Sequence, residues 1–247
     1  MMIKWNSKSF EWLLRASDYT GYNRKLAEIL FQHIEKTDTL CDLGCGMALT
    51  DMELAGKIGH ITCIDRDRSV IDYVRDRAAD LEISNIDAKC LDARTASGKW
   101  DTVMSIFHGE AEDFAQLFLP LADDRFIAVV HGKPEGKLGP KRYRAKKLNY
   151  AEMTADTFDK LGISYSGEEF KLEFGQPLLD MKDASEFVKT YSLNPSEIEV
   201  EEYLEKELVK LSGGKYPLYL PNEKHFAVFV IRRQENEDIC RRCAPGC

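Results

Sequence analysis

From residue 3 to residue 34 the apolar positions recur at intervals of three and four. Trp5, Phe10, Leu13 and Leu14 form one set; Leu26, Ile29 and Leu30, with His33 in phase, form the next. This is helical periodicity. Gly21 interrupts it and predicts two helices, with Ser17 or Asp18 placed near the break as a cap. After Thr37-Asp38 short apolar runs alternate with helical stretches. Residues 39–43 read as a buried strand followed by a glycine turn and a helix to Ile58. Residues 60–65 form a second strand, and Ile71, Val74, Ala78 and Leu81 line one face of the helix after it. Residues 86–91, 100–106 and 125–130 read as further strands, with a helix at 114–121 before the last of these. Such alternation implies right-handed crossovers and a mostly parallel sheet.

The second half is less regular. A helix is expected at 153–161, a strand at 165–174, helices at 184–191 and 198–211, and a last strand at 225–231 paired antiparallel beside the parallel set. The segment 133–147 carries seven basic residues and one acid and reads as a loop. It lacks the glycine spacing and following Ser/Thr of a phosphate loop. It is read as a solvated surface or as a lid that attracts an anionic substrate, and the acidic 198–211 helix as a solvated face.

Composition narrows the classes. A chain of 247 residues with 44% hydrophobic and 31% charged residues buries a full core as one embellished domain. A net charge of −8 argues against a general nucleic-acid binder. Charged residues break up the apolar positions near the start, and no run reaches the length of a membrane span, so a cytoplasmic protein without membrane contact is expected. Seven cysteines, unevenly placed, do not form a secreted disulfide framework. Cys41, Cys45, Cys63 and Cys90 fall in or beside strand-like runs and read as small buried hydrophobes. Cys240, Cys243 and Cys247 crowd the last residues and are a candidate set for a soft metal or a redox pair, though a structural zinc site would want a fourth ligand.

In a doubly wound sheet, ligands bind beyond the carboxyl ends of the strands. The first strand ends in Asp42-Leu43-Gly44-Cys45-Gly46, whose glycines allow a tight turn and close backbone approach. The second ends in Asp65, where a carboxylate can accept both hydroxyl hydrogens of a ribose. The third ends in Leu91-Asp92-Ala93 and the fourth in Ser105-Ile106-Phe107-His108.

Taken in order over residues 39–131, these segments resemble the class I S-adenosylmethionine-dependent methyltransferase family. LCDLGCGMALTDMELA resembles its first motif, ITCIDRDRSVIDYVRDRA its second strand and helix, KCLDA its third strand end and WDTVMSIF its fourth. The resemblance implies an α/β fold: a doubly wound, mostly parallel seven-stranded sheet (Rossmann-like), with an N-terminal helical cap and an α+β C-terminal extension. It sets the cap at 1–36, the methyltransferase domain at 37–235 with the basic loop 132–150 and helices within 181–212 inserted, and a cysteine tail at 236–247. It implies S-adenosylmethionine as cofactor and S-adenosylhomocysteine as product. Asp42, Gly44, Cys45 and Gly46 would line the methionine portion, Asp65 the ribose, and Asp92 and Ala93 the adenine, with Arg66 a further cofactor-binding residue. Ser105 and Phe107 would face the transferable methyl, and Tyr19 and Tyr22, with Arg15, would close over the cofactor.

Two departures from the family pattern stand out. Ala48 occupies a position commonly held by a third glycine, so a slightly altered turn is expected. The fourth strand also lacks the Asn/Asp-Pro-Pro-Tyr/Phe signature of enzymes that methylate amino groups of adenine or glutamine. A sulfonium methyl is already activated, so the chemistry needs alignment and water exclusion, with a base only where the nucleophile must lose a proton. His108 and His131 are the candidate bases, with Glu110 behind them. The expected acceptor is a small molecule. The alternatives are RNA or protein docked by the 133–147 loop, or a regulatory protein that binds the cofactor without catalysis and senses metal or redox state through its cysteine tail. The sequence leaves the acceptor atom and the oligomeric state open.

Overall fold

The computed structural model describes residues 7–132, 139–140 and 150–238. The basic loop, apart from Gly139 and Pro140, and the cysteines at 240, 243 and 247 lie outside the described residues. No helix among the described residues is long and apolar enough to cross a membrane. The chain divides into two compact units. One gathers the described residues of Asn23–Lys133, Asn149–Phe170 and Phe226–Cys247; the other gathers those of Met1–Tyr22, Pro134–Leu148 and Lys171–His225.

The first unit holds the alternating segment. Strands β1 (Thr39–Leu43), β2 (His60–Asp65), β3 (Ile86–Cys90), β4 (Trp100–Ile106) and β5 (Ala122–His131) pair in parallel. With β6 (Ser166–Glu173) and β10 (Glu223–Arg232) they make a seven-stranded sheet in the order β3-β2-β1-β4-β5-β10-β6. As expected, β10 runs antiparallel to β5, with Phe226 opposite His131. Helices α2 (Tyr22–Phe31), α3 (Leu49–Ala55), α4 (Arg68–Asp80) and α6 (Ala151–Leu161) connect or flank the strands.

Burial explains why the central strands read as continuous apolar runs. From Phe126 to Val130 every residue of β5 is buried, as is every residue of β1 from Leu40 to Leu43, as in a sheet covered on both faces. β3 lies at the edge and is nowhere buried, so Cys90 is half-buried rather than a core residue. Fully buried Phe114, Phe118, Phe126 and Phe158 meet ring to ring, Phe114 and Phe126 at 5.3 Å. α4 buries Val70, Ile71, Val74 and Ala78 and is capped by the Asp67 carboxylate, which accepts from Ser69 N at 2.9 Å.

The helix expected at 114–121 is three pieces: a short α-helical turn α5 (Ala111–Asp113), a π turn (Phe114–Phe118) and a 3-10 turn (Leu119–Leu121). Pro120 has no N–H to continue the ladder, which ends a regular helix there.

The other unit contains α1 (Ser7–Thr20), α7 (Met181–Tyr191), α8 (Glu197–Glu207) and a three-stranded antiparallel sheet, β7 (Gln176–Leu178), β9 (Leu218–Leu220) and β8 (Val209–Lys210), in the order β7-β9-β8. The helix expected at 198–211 therefore stops at Glu207, and its last residues pair as β8 instead. Gly213 and Gly214, with φ of 82° and 92°, turn the chain back toward β9. Trp12, Leu178, Ala184, Phe187, Val188, Val200, Leu204, Leu218 and Leu220 form this unit's own core. Gly21, with φ 65°, breaks the N-terminal helices as expected, but the cap is Thr20, whose Oγ1 accepts from Tyr22 N at 3.2 Å.

Candidate functional site

The first parallel strands deliver their last residues to one end of the sheet. Gly44 leaves β1 at φ 80°, and Gly44 N and Cys45 N both donate to Ile64 O, at 2.8 and 3.0 Å. A Cβ built on Gly44 would stand 2.2 Å from Cγ of His108. The ring of His108 therefore lies against the glycine turn, and this contact admits no side chain. Gly46 follows at φ 54°, then Ala48 at φ 51°. Ala48 thus adopts the left-handed backbone that a glycine would take, so the turn is kept at the cost of strain, of order 1–2 kcal/mol for an L-residue.

Asp65 holds this turn. Its Oδ2 accepts from Gly46 N at 3.1 Å and its Oδ1 from Asp67 N at 2.9 Å. Each carboxylate oxygen offers about two acceptor sites, so both retain capacity for ligand hydroxyls. Leu91 N donates to Asp65 O at 2.9 Å, which ties the end of β3 to that of β2. Asp92 is exposed and caps the next turn by accepting from Arg94 N at 2.9 Å, while Ala93 is buried in the core. Arg66 is exposed, with its carbonyl 3.6 Å from Cys90 Sγ.

At the end of β4, Ser105 is fully buried. Its Oγ lies 2.9 Å from both Leu43 O and His108 O and donates to one at a time. The hydroxyl thus links β1 to the turn that carries His108. Phe107 has φ 55°, its amide donates to Val129 O at 2.8 Å, and its ring packs 4.9 Å from His131 and 6.2 Å from Phe226. Packing against the turn lowers the His108 pKa below that of a free imidazole, with Asp65 pulling the other way and Arg66 reinforcing the fall. The shift favours the neutral ring. Glu110 is exposed and caps α5, its amide facing Asp113 Oδ2 at 3.4 Å.

Asp42, at the end of β1, is 1% exposed, and so is Asp51 of α3. Asp51 was not singled out from the sequence, because nothing in a short helix marks one acid as inward-facing. Asp42 is pushed well above the ordinary carboxylate range, by burial first and by Asp51 second.

Tyr19, Tyr22 and Arg15 belong to the other unit. There Tyr19 is 47% exposed and packs against Tyr219 at 5.1 Å, and Tyr22 is buried with its ring 4.4 Å from Phe174. Arg15 is buried and donates to Asp183 Oδ2 at 2.6 Å. No group of three or more His, Cys, Asp or Glu side chains among the described residues is placed to hold a metal ion.

The glycine turn, the exposed capacity of Asp65 and the buried carboxylate of Asp42 fit a nucleoside ligand that carries hydroxyls and positive charge. Residues 40–125, which carry all three, match the family model described as a methyltransferase domain. None of the curated proteins matches the sequence significantly. Solved structures share the fold at low identity. A putative methyltransferase from Bacillus halodurans superposes with TM-score 0.56 at 10% identity, over 84% of this chain and 98% of that one. Geranyl diphosphate methyltransferase, solved with its cofactor, gives 0.52 at 12%, over 85% of each chain. Magnesium protoporphyrin IX methyltransferase from Synechocystis gives 0.50 at 13%, over 93% and 86%. Sheet order and family match agree: the chain has the Rossmann-like fold of these structures, and its residues 40–125 match a methyltransferase domain.

Proposed function

We propose that the protein transfers the methyl group of S-adenosylmethionine to a small-molecule acceptor held beside Phe107. The observation that carries this reading is the aromatic wall at the carboxyl ends of β4 and β5. A left-handed φ at a phenylalanine costs roughly 1–3 kcal/mol and persists where the surroundings over-determine it, which is characteristic of ligand sites. Phe107, His131 and Tyr150 are each half-buried, and Phe226 closes the wall behind them. A half-buried apolar surface with a few polar groups suits a small ring or an unsaturated chain. Two of the structural neighbours carry small acceptors in their names, a magnesium porphyrin and geranyl diphosphate.

In this reading Asp42 and the Gly44–Gly46 turn hold the methionine portion, Asp65 with Arg66 the ribose, and Asp92 with the Ala93 amide the adenine. The cofactor supplies a methyl group already activated by its sulfonium. The protein aligns acceptor and methyl and excludes water. Ser105 keeps His108 in place, and neutral His108 takes the proton of an acceptor that must lose one. His131, packed against Phe107, orients the acceptor.

The test is transfer from radiolabelled S-adenosylmethionine into a fractionated cell extract. Label is expected in the low-molecular-mass fraction and is lost with Phe107→Ala, while that variant still binds the cofactor. Label confined to the RNA or protein fraction would overturn the reading.

A further inference from the structure

Beneath the glycine turn two carboxyl groups share a dry site. Asp42 ends β1, Asp51 sits in the first turn of α3, and each is 1% exposed. Asp51 is the charged group that acts most strongly on Asp42, second only to burial. Yet neither Oδ1 of Asp42 nor either carboxylate oxygen of Asp51 accepts a hydrogen bond from a described N–H or O–H. Two interacting carboxylates in a low-dielectric interior do not both stay ionised, and they titrate as a pair. A proton held by the pair removes one of the two buried charges.

The neighbouring groups leave this proton in place. Cys41 on β1, Cys45 in the turn and both Cys63 and Asp65 on β2 face the pair, and all are thiols or acids. Lys89 on β3 is the cation of this group, and it acts on Cys41. Thr50, beside Asp51, is engaged with Asn23 at 2.9 Å and contributes no charge.

We propose that Asp51 is a positioning residue that acts through Asp42: the pair holds one proton in the free protein and gives it up when the cofactor's positive charge reaches the turn. The inference rests on the cofactor reading above. The sign follows from charge. The free pair carries one negative charge, and an ammonium or sulfonium brought beside it favours the second ionisation. The bound state therefore holds fewer protons, so affinity rises with pH while the pair titrates and levels off once it is fully ionised. One proton sets the limit at about tenfold in affinity per pH unit. The last proton of the free pair sits on Asp42, which burial and Asp51 hold well above the ordinary carboxylate range, so the rise extends across mildly acidic pH.

Calorimetry with S-adenosylmethionine tests this from about pH 5 to about pH 7, below the titration of the cofactor's own amino group. Measured in two buffers of different ionisation enthalpy, the wild-type protein is expected to release close to one proton per cofactor near pH 6, with affinity rising across the window. Asp51→Asn is expected to flatten the profile and to abolish the release. A flat wild-type profile with no proton release, cofactor binding being intact, would overturn the inference and leave the cofactor reading standing. Release that persists in a folded Asp51→Asn protein would do the same. Absence of binding at every pH would overturn the cofactor reading and the inference with it. The wild-type heats decide the matter even where the variant fails to fold.

Discussion

At the scale of single residues, the turn after β1 is set by what cannot be added to it. Gly44 combines a φ of 80° with the ring of His108 where a Cβ would go. Gly44→Ala therefore meets two separate costs, left-handed backbone strain of about 1–2 kcal/mol and a clash with the ring. The double variant Gly44→Ala/His108→Ala removes the second and keeps the first. Urea denaturation of the four proteins in that cycle should show a favourable coupling of at least about 1 kcal/mol, since contacting residues are not additive. Strict additivity would mean that the ring does not rest on the turn. Ala48 presents the converse case, because its methyl group already bears the strain. Ala48→Gly relieves about 1–2 kcal/mol and gives back about 0.4–1 kcal/mol through the freer unfolded chain. A net gain of roughly 0.5 kcal/mol is expected by the same measurement.

Among elements, the decisive feature of the second unit is Asp183 in the first turn of α7. Its carboxylate is 4% exposed and accepts from Trp12 Nε1 at 3.0 Å and Arg15 at 2.6 Å, both on α1, and from Leu179 N at 3.1 Å, with Lys8 Nζ at 2.9 Å. Burial alone would raise its pKa, but Lys8, the Leu179 amide, Trp12 and Arg15 together hold it at about 2. A folded pKa below the unfolded value of about 3.9 gives stability that is present above about pH 4 and is lost as pH falls toward 2. Asp183→Asn breaks a buried pair and leaves Arg15 with Glu11 as its carboxylate partner, at a cost of about 3 kcal/mol, the lower end for a broken buried pair. Denaturation followed by tryptophan fluorescence should show that loss near neutral pH and little further loss between about pH 4 and pH 2, in contrast with wild type. None of this was legible in the sequence. Trp12 and Arg15 lie about 170 positions along the chain from Asp183, and nothing in the sequence pairs them. β7, β8 and β9 are two or three residues long, too short to display alternation, so β8 was absorbed into the helix before it.

Over the whole molecule, the legible part is the part where local pattern and tertiary role coincide. The central strands are buried on both faces and announce themselves as apolar runs, and the acids that end them sit where a doubly wound sheet gathers ligand contacts. The same logic places Asp42, Asp65 and Asp92 at or beside strand ends, where the structure has them, and is silent on Asp51, whose burial depends on which way a short helix faces. It also left Ser105 looking like a ligand contact, whereas the structure spends its hydroxyl on the carbonyls of Leu43 and His108. A cofactor held by residues from several strand ends binds the folded chain and not the unfolded one. Its binding therefore appears as stability of the unit that carries the turn. At a cofactor concentration of about one hundred times Kd the linkage amounts to about 2.7 kcal/mol, several degrees in the melting temperature. Asp65→Ala removes the brace on Gly46 and Asp67 and, on the proposed reading, an acceptor of ligand hydroxyls; it should then weaken cofactor binding roughly 10- to 100-fold, since hydrogen bonds to a charged group contribute about 1.5–3 kcal/mol. Thermal unfolding with and without S-adenosylhomocysteine checks both claims at once. The wild-type shift should shrink by most of its size in Asp65→Ala and remain intact in Asp183→Asn, because Asp183 braces the other unit. An equal loss of the shift in both variants would mean that Asp65 acts on folding alone and makes no contact with the cofactor.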